Sequence, residues 1–311
     1  IGGYGRRQLF PYSDIDLLFV CAEASQEIAN QLKIRRLCQD LWDIGLRVSA
    51  TTRTVEECER LSEENPEFTL SLLDRRHIAG DFELFEDLDQ KRIPALVERR
   101  RRSLLLATTN LAYARHAKFQ RTLFHLEPNV KDGPGGLRDF HICCWLAQLS
   151  PQSARNGASR YESNLLVVRR EESELAHRFL LTVRGFLHYR NQRDDNMLYW
   201  QAQDEAAARH LGLPETRPVE TAQWMRQYFR HARSIEWITR QMLNDMPSGR
   251  ASFSGAASIF TRIRHRRSQT VIAGCSVADG QVFLTSAAEY ADPERVLKLF
   301  QVLAGQALQL S

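Results

Sequence analysis

Two aspartates at alternate positions of an apolar segment, Ser13-Asp14-Ile15-Asp16-Leu17-Leu18-Phe19-Val20, carry the clearest chemical signal in the sequence. Side chains of a β-strand alternate faces, so Asp14 and Asp16 project together while Ile15, Leu17 and Phe19 point the other way. Two adjacent carboxylates repel each other and are costly to desolvate beside a core. A hard divalent cation such as Mg²⁺ reverses that balance by accepting their oxygens together with water and phosphate oxygens. Just upstream, Gly2, Gly3 and Gly5 belong to the turn Gly2-Gly3-Tyr4-Gly5. Without a Cβ, such a turn can adopt positive φ and bring its N–H groups close to a triphosphate. Ser13 adds a hydroxyl donor. Arg6 and Arg7 are either phosphate clamps or solvated surface residues.

A second segment, residues 124–139, combines a proline and glycine turn with basic residues on both sides and runs into an apolar helical stretch through Cys143, Trp145 and Leu146. Within it, Gly135 and Gly136 permit close approach, Lys131 and Arg138 supply charge, and the start of the following helix exposes N–H groups that can face an anion. From its residues alone this reads as a turn between helices sooner than as a site.

Taken together, Gly2-Gly3-Tyr4-Gly5-Arg6, Ser13-Asp14-Ile15-Asp16 and Leu126-Glu127-Pro128-Asn129-Val130-Lys131-Asp132-Gly133-Pro134-Gly135-Gly136-Leu137-Arg138-Asp139 resemble the bacterial PII uridylyltransferase/uridylyl-removing enzymes, within the DNA polymerase beta-like nucleotidyltransferase superfamily. The second block is similar to their L-E-P-N-[IV]-K-[ED]-G-x-G-G-L-R-D signature, and the likeness spans essentially the whole chain. The resemblance implies transfer of UMP from UTP to a tyrosine of the PII signalling protein, with pyrophosphate leaving and Mg²⁺ as cofactor. Asp14 and Asp16 would then be the catalytic metal ligands. Gly2, Gly3, Gly5, Arg6, Ser13, Lys131, Gly135, Gly136 and Arg138 would hold the nucleotide. Such transfer depends on positioning and charge neutralisation, and the attacking hydroxyl comes from the partner. No Ser-His-Asp, H-E-x-x-H or Walker sequence competes with this reading.

The superfamily usually adds a third carboxylate from a later strand. The segment Arg47-Val48-Ser49-Ala50-Thr51-Thr52-Arg53 contains no acid, and it departs from the G-H-S-x-R of the resembled family. Asp43, just before it, is the remaining candidate third metal ligand; a turn aspartate is the equal alternative. Two other readings stay open: a glutamine synthetase-type adenylyltransferase, which shares the aspartate motif and the G-x-G-G-[IL]-R-D turn, and a catalytically degenerate nucleotide-sensing module.

The elements that must position these residues give an α+β fold. A polymerase beta-like mixed sheet with helices is expected over residues 1–81, as a catalytic domain truncated at its N-terminus. A mainly helical domain closing over the nucleotide follows at 82–247, and a linker with a small α/β element at 248–311. The first part reads as strand, helix (Ile28, Leu32, Leu37, Leu41) and strand, with Thr54 capping a further helix. The helical part carries Leu175, Phe179, Leu180, Val183, Phe186 and Leu187 at one spacing and Met225, Phe229, Ala232, Ile235, Ile238 and Met242 at another. Trp200, Trp224 and Trp237 read as core, and Arg184, His188, Arg190, Arg193, Asp194 and Asp195 as a polar cluster. Val271 to Val277 and Gln281 to Leu284 read as a hairpin around Asp279-Gly280, and Asp292-Pro293 as the start of a last helix.

With 43% hydrophobic and 26% charged residues and a net charge of +4, the composition is that of a soluble globular protein and does not by itself indicate nucleic-acid binding. Arg99 to Arg102 reads as a solvated helix face, and the basic run at 262–267 as a loop border. Six cysteines without C-x-x-C spacing read as reduced core thiols. No apolar run of about 18 residues or more suggests a membrane span, and a cytoplasmic location is expected. The chain reads as a fragment lacking the family's metal-dependent hydrolase and glutamine-sensing domains, so no uridylyl removal is expected of it. No identified motif reads the nucleobase.

Overall fold

The computed structural model describes residues 1–60, 66–149, 160–214, 219–244 and 246 and, beyond these, 270–272, 275–278, 281–284, 297 and 309–310. The chain divides into two compact units, Ile1–Gly249 and Arg250–Ser311.

The first unit opens with one helical turn, α1 (Gly2–Gly5), followed by β1 (Ile15–Cys21), α2 (Ala24–Asp43) and β2 (Val48–Thr54). Among the described residues of this unit, β1 and β2 form a parallel pair in register from Ile15 opposite Val48 to Cys21 opposite Thr54. The helical crossover through α2 imposes that direction, because a parallel pair cannot be closed by a tight turn. One face of the pair, with Ile15, Val48, Leu17 and Phe19, packs on Ile34, Cys38 and Leu41 of α2. The other, with Leu18 and Val20, packs against Val55, Cys58, Leu72 and Leu96. The helix at α2 is the one anticipated and Leu41 faces inward as expected, but the rest of its inward stripe differs. Ile28 and Leu32 are both 77% exposed, and Ile34 and Cys38 take the inward places.

Thr54 closes a capping box on the short α3 (Val55–Cys58): Glu57 N–H donates to its Oγ1 at 3.2 Å, and its own N–H donates to the Glu57 carboxylate at 2.8 Å. The two orphan donors of the helix start are thereby satisfied reciprocally. After α4 (Pro66–Ser71) and α5 (Phe82–Asp87), the fold is carried by α6 (Ile93–Lys118), α7 (Leu137–Leu149), α8 (Arg160–Asn191), α9 (Trp200–Ala208) and α10 (Thr221–Asn244). Phe179, Leu180, Val183 and Leu187 of α8 meet Trp224, Tyr228, Ala232 and Ile235 of α10 in one core. Leu104, Leu105, Ile142, Leu146, Ile238 and Met242 join α6, α7 and α10 in another. Trp224 is fully buried, but Trp200 is 60% exposed and is not a core residue. Leu175, likewise expected in the core, is 53% exposed. Among the described residues, Cys21, Cys38, Cys58, Cys143 and Cys144 are free thiols, all but the last buried, and no helix is long and apolar enough to cross a membrane.

In the second unit, β3 (Thr270–Ile272), β4 (Cys275–Ala278), β5 (Gln281–Leu284) and β6 (Gln309–Leu310) make a sheet in that order. The expected β4–β5 hairpin is present, with Ala278 opposite Gln281. The segment expected as one strand from Val271 is instead two, pairing antiparallel with Ile272 opposite Cys275. The Asp279-Gly280 turn, the basic run at 262–267, the linker at 249–255 and, apart from Leu297, the expected last helix lie outside the described residues.

Two histidines are enclosed between α7 and α8. His177 stacks on Phe140 at 3.9 Å between ring centroids and 7° between planes. Its Nε2 has no hydrogen-bond partner among the described residues. Burial lowers its pKa to about 4, and burial with the nearby Arg6 and Arg138 charges lowers that of His141 as well. A buried imidazole whose folded pKa is depressed contributes stability that is complete above its unfolded value and is lost as the pH falls toward the folded one. Chemical denaturation should therefore show the unfolding free energy declining as the pH is lowered from about 6.5 to about 4. The decline should be shallower in His177→Gln, and an unchanged slope in that variant would refute the assignment.

Candidate active site

A cavity of about 670 Å³ in the first unit gathers residues from both sequence motifs: Gly2, Gly3, Arg6, Ser13, Asp14 and Asp16 from the first, Lys131 and Arg138 from the second. Asp14 directly precedes β1 and Asp16 lies on it, both on the face shared with Leu18 and Val20, which points toward the helices. Asp14 is half exposed and ion-paired with Arg47 at 2.9 Å. Asp16 lies deeper. Burial, reinforced by the neighbouring Asp14 charge, raises its pKa above the ordinary carboxylate value, although the ammonium of Ile1 and, less strongly, Lys131 and Arg138 act in the opposite sense. A carboxylate held in this condition gains from any cation that approaches it.

Gly2 has its own role beside this pair. It takes φ +59, and a Cβ there would lie 2.8 Å from Asp16 Oδ2. The glycine thus lets the acid lie against the α1 backbone. Gly5, Gly135 and Gly136 do not line the cavity. A Cβ on Gly5 would lie 1.7 Å from the Asp74 carbonyl oxygen, and one on Gly135, at φ +73, would lie 2.2 Å from that of Ala232. A Cβ on Gly136 would meet the carbonyl oxygens of Gly133, Lys131 and Val130. These three glycines are required by close chain packing, and the structure does not bring them to the cavity.

Asp43 is also not brought in. It ends α2, exposed, and accepts from Gln39 Nε2 at 2.8 Å. On β2 the residue opposite Asp16 is Ser49. Among the described residues no group of three or more His, Cys, Asp or Glu side chains is arranged to hold a metal ion. Two carboxylates nevertheless suit Mg²⁺, which is commonly held by one or two protein carboxylates with substrate phosphates completing the octahedron.

Arg6 lines the cavity but is ion-paired to the buried Asp74, which also accepts from Trp145 Nε1 at 2.9 Å. Arg7 lies outside the cavity lining, at φ +62. In the second motif, Asn129 Oδ1 accepts from the N–H groups of Lys131 and Asp132 at 3.0 and 2.8 Å, and Arg138 N–H donates to the Lys131 carbonyl at 2.8 Å. The loop is fixed from outside by Val130 N–H donating to Asn196 O and Leu198 N–H donating to Pro128 O, both at 2.9 Å. From inside it is fixed by Asp139, fully buried on α7. Asp139 accepts from Gly135 N–H at 2.7 Å, lies 2.9 Å from His116 Nε2, and is ion-paired to Arg115. Arg115 in turn donates to the Asp132 carbonyl at 2.7 Å. Burial alone would raise the Asp139 pKa, but His116 and Arg115 more than offset it and hold the carboxyl below its usual range.

Polar residues outside the two motifs also line the cavity, among them Gln8, Arg115, His141, Arg184 and Asp194. His141 and Gln8 are hydrogen-bonded at 3.1 Å. Arg184 and Asp194 belong to the polar cluster seen in the sequence, whereas Arg190 pairs with Glu205 and Arg193 with Asp195. Asp139 carried one visible signal, its place closing the glycine motif.

Comparison with known proteins bears on the chain as a whole. Residues 105–243 match the family model described as GlnD PII-uridylyltransferase. The chain is similar to proteins named bifunctional uridylyltransferase/uridylyl-removing enzyme. It is 34% identical over 267 residues to that of Burkholderia orbicola (strain AU 1054), covering 85% of this chain and 30% of the relative. It is 30% identical over 322 residues to that of Caulobacter vibrioides (strain NA1000 / CB15N), covering 100% and 33%. With that of Phenylobacterium zucineum (strain HLK1) it shares 30% identity over 316 residues, again covering 100% and 33%.

Removing the Asp139 charge should expose how much the site depends on it. Asp139→Asn leaves the largely enclosed Arg115 without its fully buried counter-ion, and breaking such a pair typically costs about 3–5 kcal/mol. Urea unfolding should show a loss of that order, and a change within about 0.5 kcal/mol, as at an ordinary surface position, would contradict it. The motifs, the cavity they share and these likenesses together place the chain in the PII-uridylyltransferase family, of whose relatives it spans about a third of the length.

Proposed function

We propose that this chain carries the nucleotidyl-transferring site of a PII uridylyltransferase, moving UMP from UTP to a tyrosine of PII and releasing pyrophosphate. The tyrosine oxygen forms the new bond to the α-phosphorus as the bond to the departing pyrophosphate breaks. One observation carries the reading: the two acids of the first motif and the two cations of the second, far apart in the sequence, line a single cavity.

Asp14 and Asp16 would hold Mg²⁺, whose positive charge offsets that of the phosphates. Gly2 makes room for the Asp16 carboxylate against α1, and Gly3 beside it would leave the backbone open to the triphosphate. Ser13 offers a hydroxyl, and Lys131 and Arg138 offer charge to phosphate oxygens. The Lys131 backbone N–H is held by Asn129 and that of Arg138 by the Lys131 carbonyl, so the main chain carrying both cations is set before the substrate arrives. The expected UTP preference rests on the family, since no residue identified here reads the base.

Transfer of labelled UMP from UTP to purified PII, with Mg²⁺ present, is the direct test. Asp16→Asn should lower the rate by about 10²–10³-fold, the usual effect of removing one charge-stabilising group, while thermal unfolding keeps its midpoint or rises slightly as the buried charge disappears. Transfer at the unmodified rate in Asp16→Asn would exclude this site, and transfer of AMP in place of UMP would favour the adenylyltransferase reading.

A further inference from the structure

The wall of the cavity holds a buried arginine that bonds the first motif directly and reaches the second through Asp194. Arg184 of α8 has a side chain only 9% exposed and lines the cavity. Its Nε donates to Asn196 Oδ1 at 2.7 Å, and its Nη2 donates to Ser13 Oγ and Asp194 Oδ1, each at 3.2 Å. The guanidinium lies over the Phe10 ring at 4.2 Å. Among the described residues no acceptor is bonded to its Nη1.

Asp194 gathers several cationic and polar groups on one carboxylate. Besides Arg184, it accepts from Asn196 Nδ2 at 3.0 Å. His188 Nε2 lies 3.0 Å from it and Lys131 Nζ 3.7 Å. It also lines the cavity, with its side chain 24% exposed. Convergence of an arginine, a lysine and side-chain N–H donors on two oxygens is the environment that a phosphate group selects.

We infer that Arg184 is a triphosphate-binding residue of this site, and that Asp194, together with Asn196 and Phe10, is its positioning residue, keeping Arg184 and Lys131 oriented into the cavity. The inference rests on the nucleotidyl-transfer reading and assigns it a third cation, contributed by α8. Arg184 is held on one edge by Asn196 and on one face by Phe10, and it already bonds Ser13, the hydroxyl next to the acid pair. The rest of its fork is directed to anionic oxygen. A lysine could supply the charge here but not the planar two-edged geometry.

Titration calorimetry of the unmodified chain, Arg184→Gln, Arg184→Lys and Asp194→Asn with UTP, uridine and inorganic tripolyphosphate, each with Mg²⁺, tests this. Arg184→Gln should weaken UTP and tripolyphosphate binding about 10- to 100-fold, the range that a charge-assisted hydrogen bond contributes, while uridine binding changes less than about twofold. Arg184→Lys should fall between, and Asp194→Asn should weaken the two phosphate ligands without affecting uridine. Should Arg184→Gln fail to fold, Arg184→Lys decides by the same contrast. An equal loss for uridine and UTP would mark Arg184 as merely structural and overturn the inference, as would unchanged UTP affinity. If the unmodified chain binds UTP and the variants bind it equally, only this inference falls; if the unmodified chain binds none, the nucleotidyl-transfer reading falls with it.

Discussion

The site depends on one buried anion. Asp139 ties the end of α6, through Arg115 and His116, to the glycine turn, through the Gly135 N–H, and it does so from the first turn of α7. In a low-dielectric interior such a carboxylate persists only where its lone pairs are fully used, and here they are. The same Arg115 holds the Asp132 carbonyl, so the loop carrying Lys131 and Arg138 is braced by the ion pair that closes the core beneath it. Without that brace, the second motif would be a proline and glycine turn with no fixed relation to the aspartates.

The charges around the cavity divide into those already spent and those still available. Arg6 is committed to Asp74, Arg115 to Asp139 and Arg47 to Asp14. Lys131, Arg138 and Arg184 have looser or longer carboxylate partners, at 3.7, 3.6 and 3.2 Å. A phosphate chain entering the cavity meets cations that need not abandon tight pairs to receive it, and it meets an acid pair that favours an accompanying metal. That division follows from geometry rather than from composition, since the net charge of +4 is mild.

The acid pair was legible because strand alternation is a local property: the residues that place Asp14 beside Asp16 are their immediate neighbours. The capping box at Thr54 and the core stripe of α8 from Phe179 to Leu187 are legible on the same ground. The roles of Gly5 and Gly135 were not, since the atoms that forbid a side chain there, the Asp74 and Ala232 carbonyl oxygens, are remote in sequence. Asp43 was chosen for its nearness to β2, yet the helix end directs it away from the cavity. The stripe of α2 was misread because its sequence offers two helical spacings, and a two-stranded sheet covers only the one through Ile34 and Cys38. Arg184 stood in a visible polar cluster, but nothing local separates it from Arg190, which pairs instead with Glu205.

Glycine at position 2 shows how far the chemistry constrains the chain. Its positive φ turns the α1 backbone so that the Asp16 carboxylate fits where a Cβ would stand. The acid is thereby buried enough to have its pKa raised, yet it stays on the cavity wall. A larger residue would push the carboxylate outward into water, where it would be better solvated and less responsive to a cation. The glycine therefore acts on electrostatics through sterics. By setting how deep Asp16 lies, it sets how strongly that carboxylate favours a metal-bound state over an empty one.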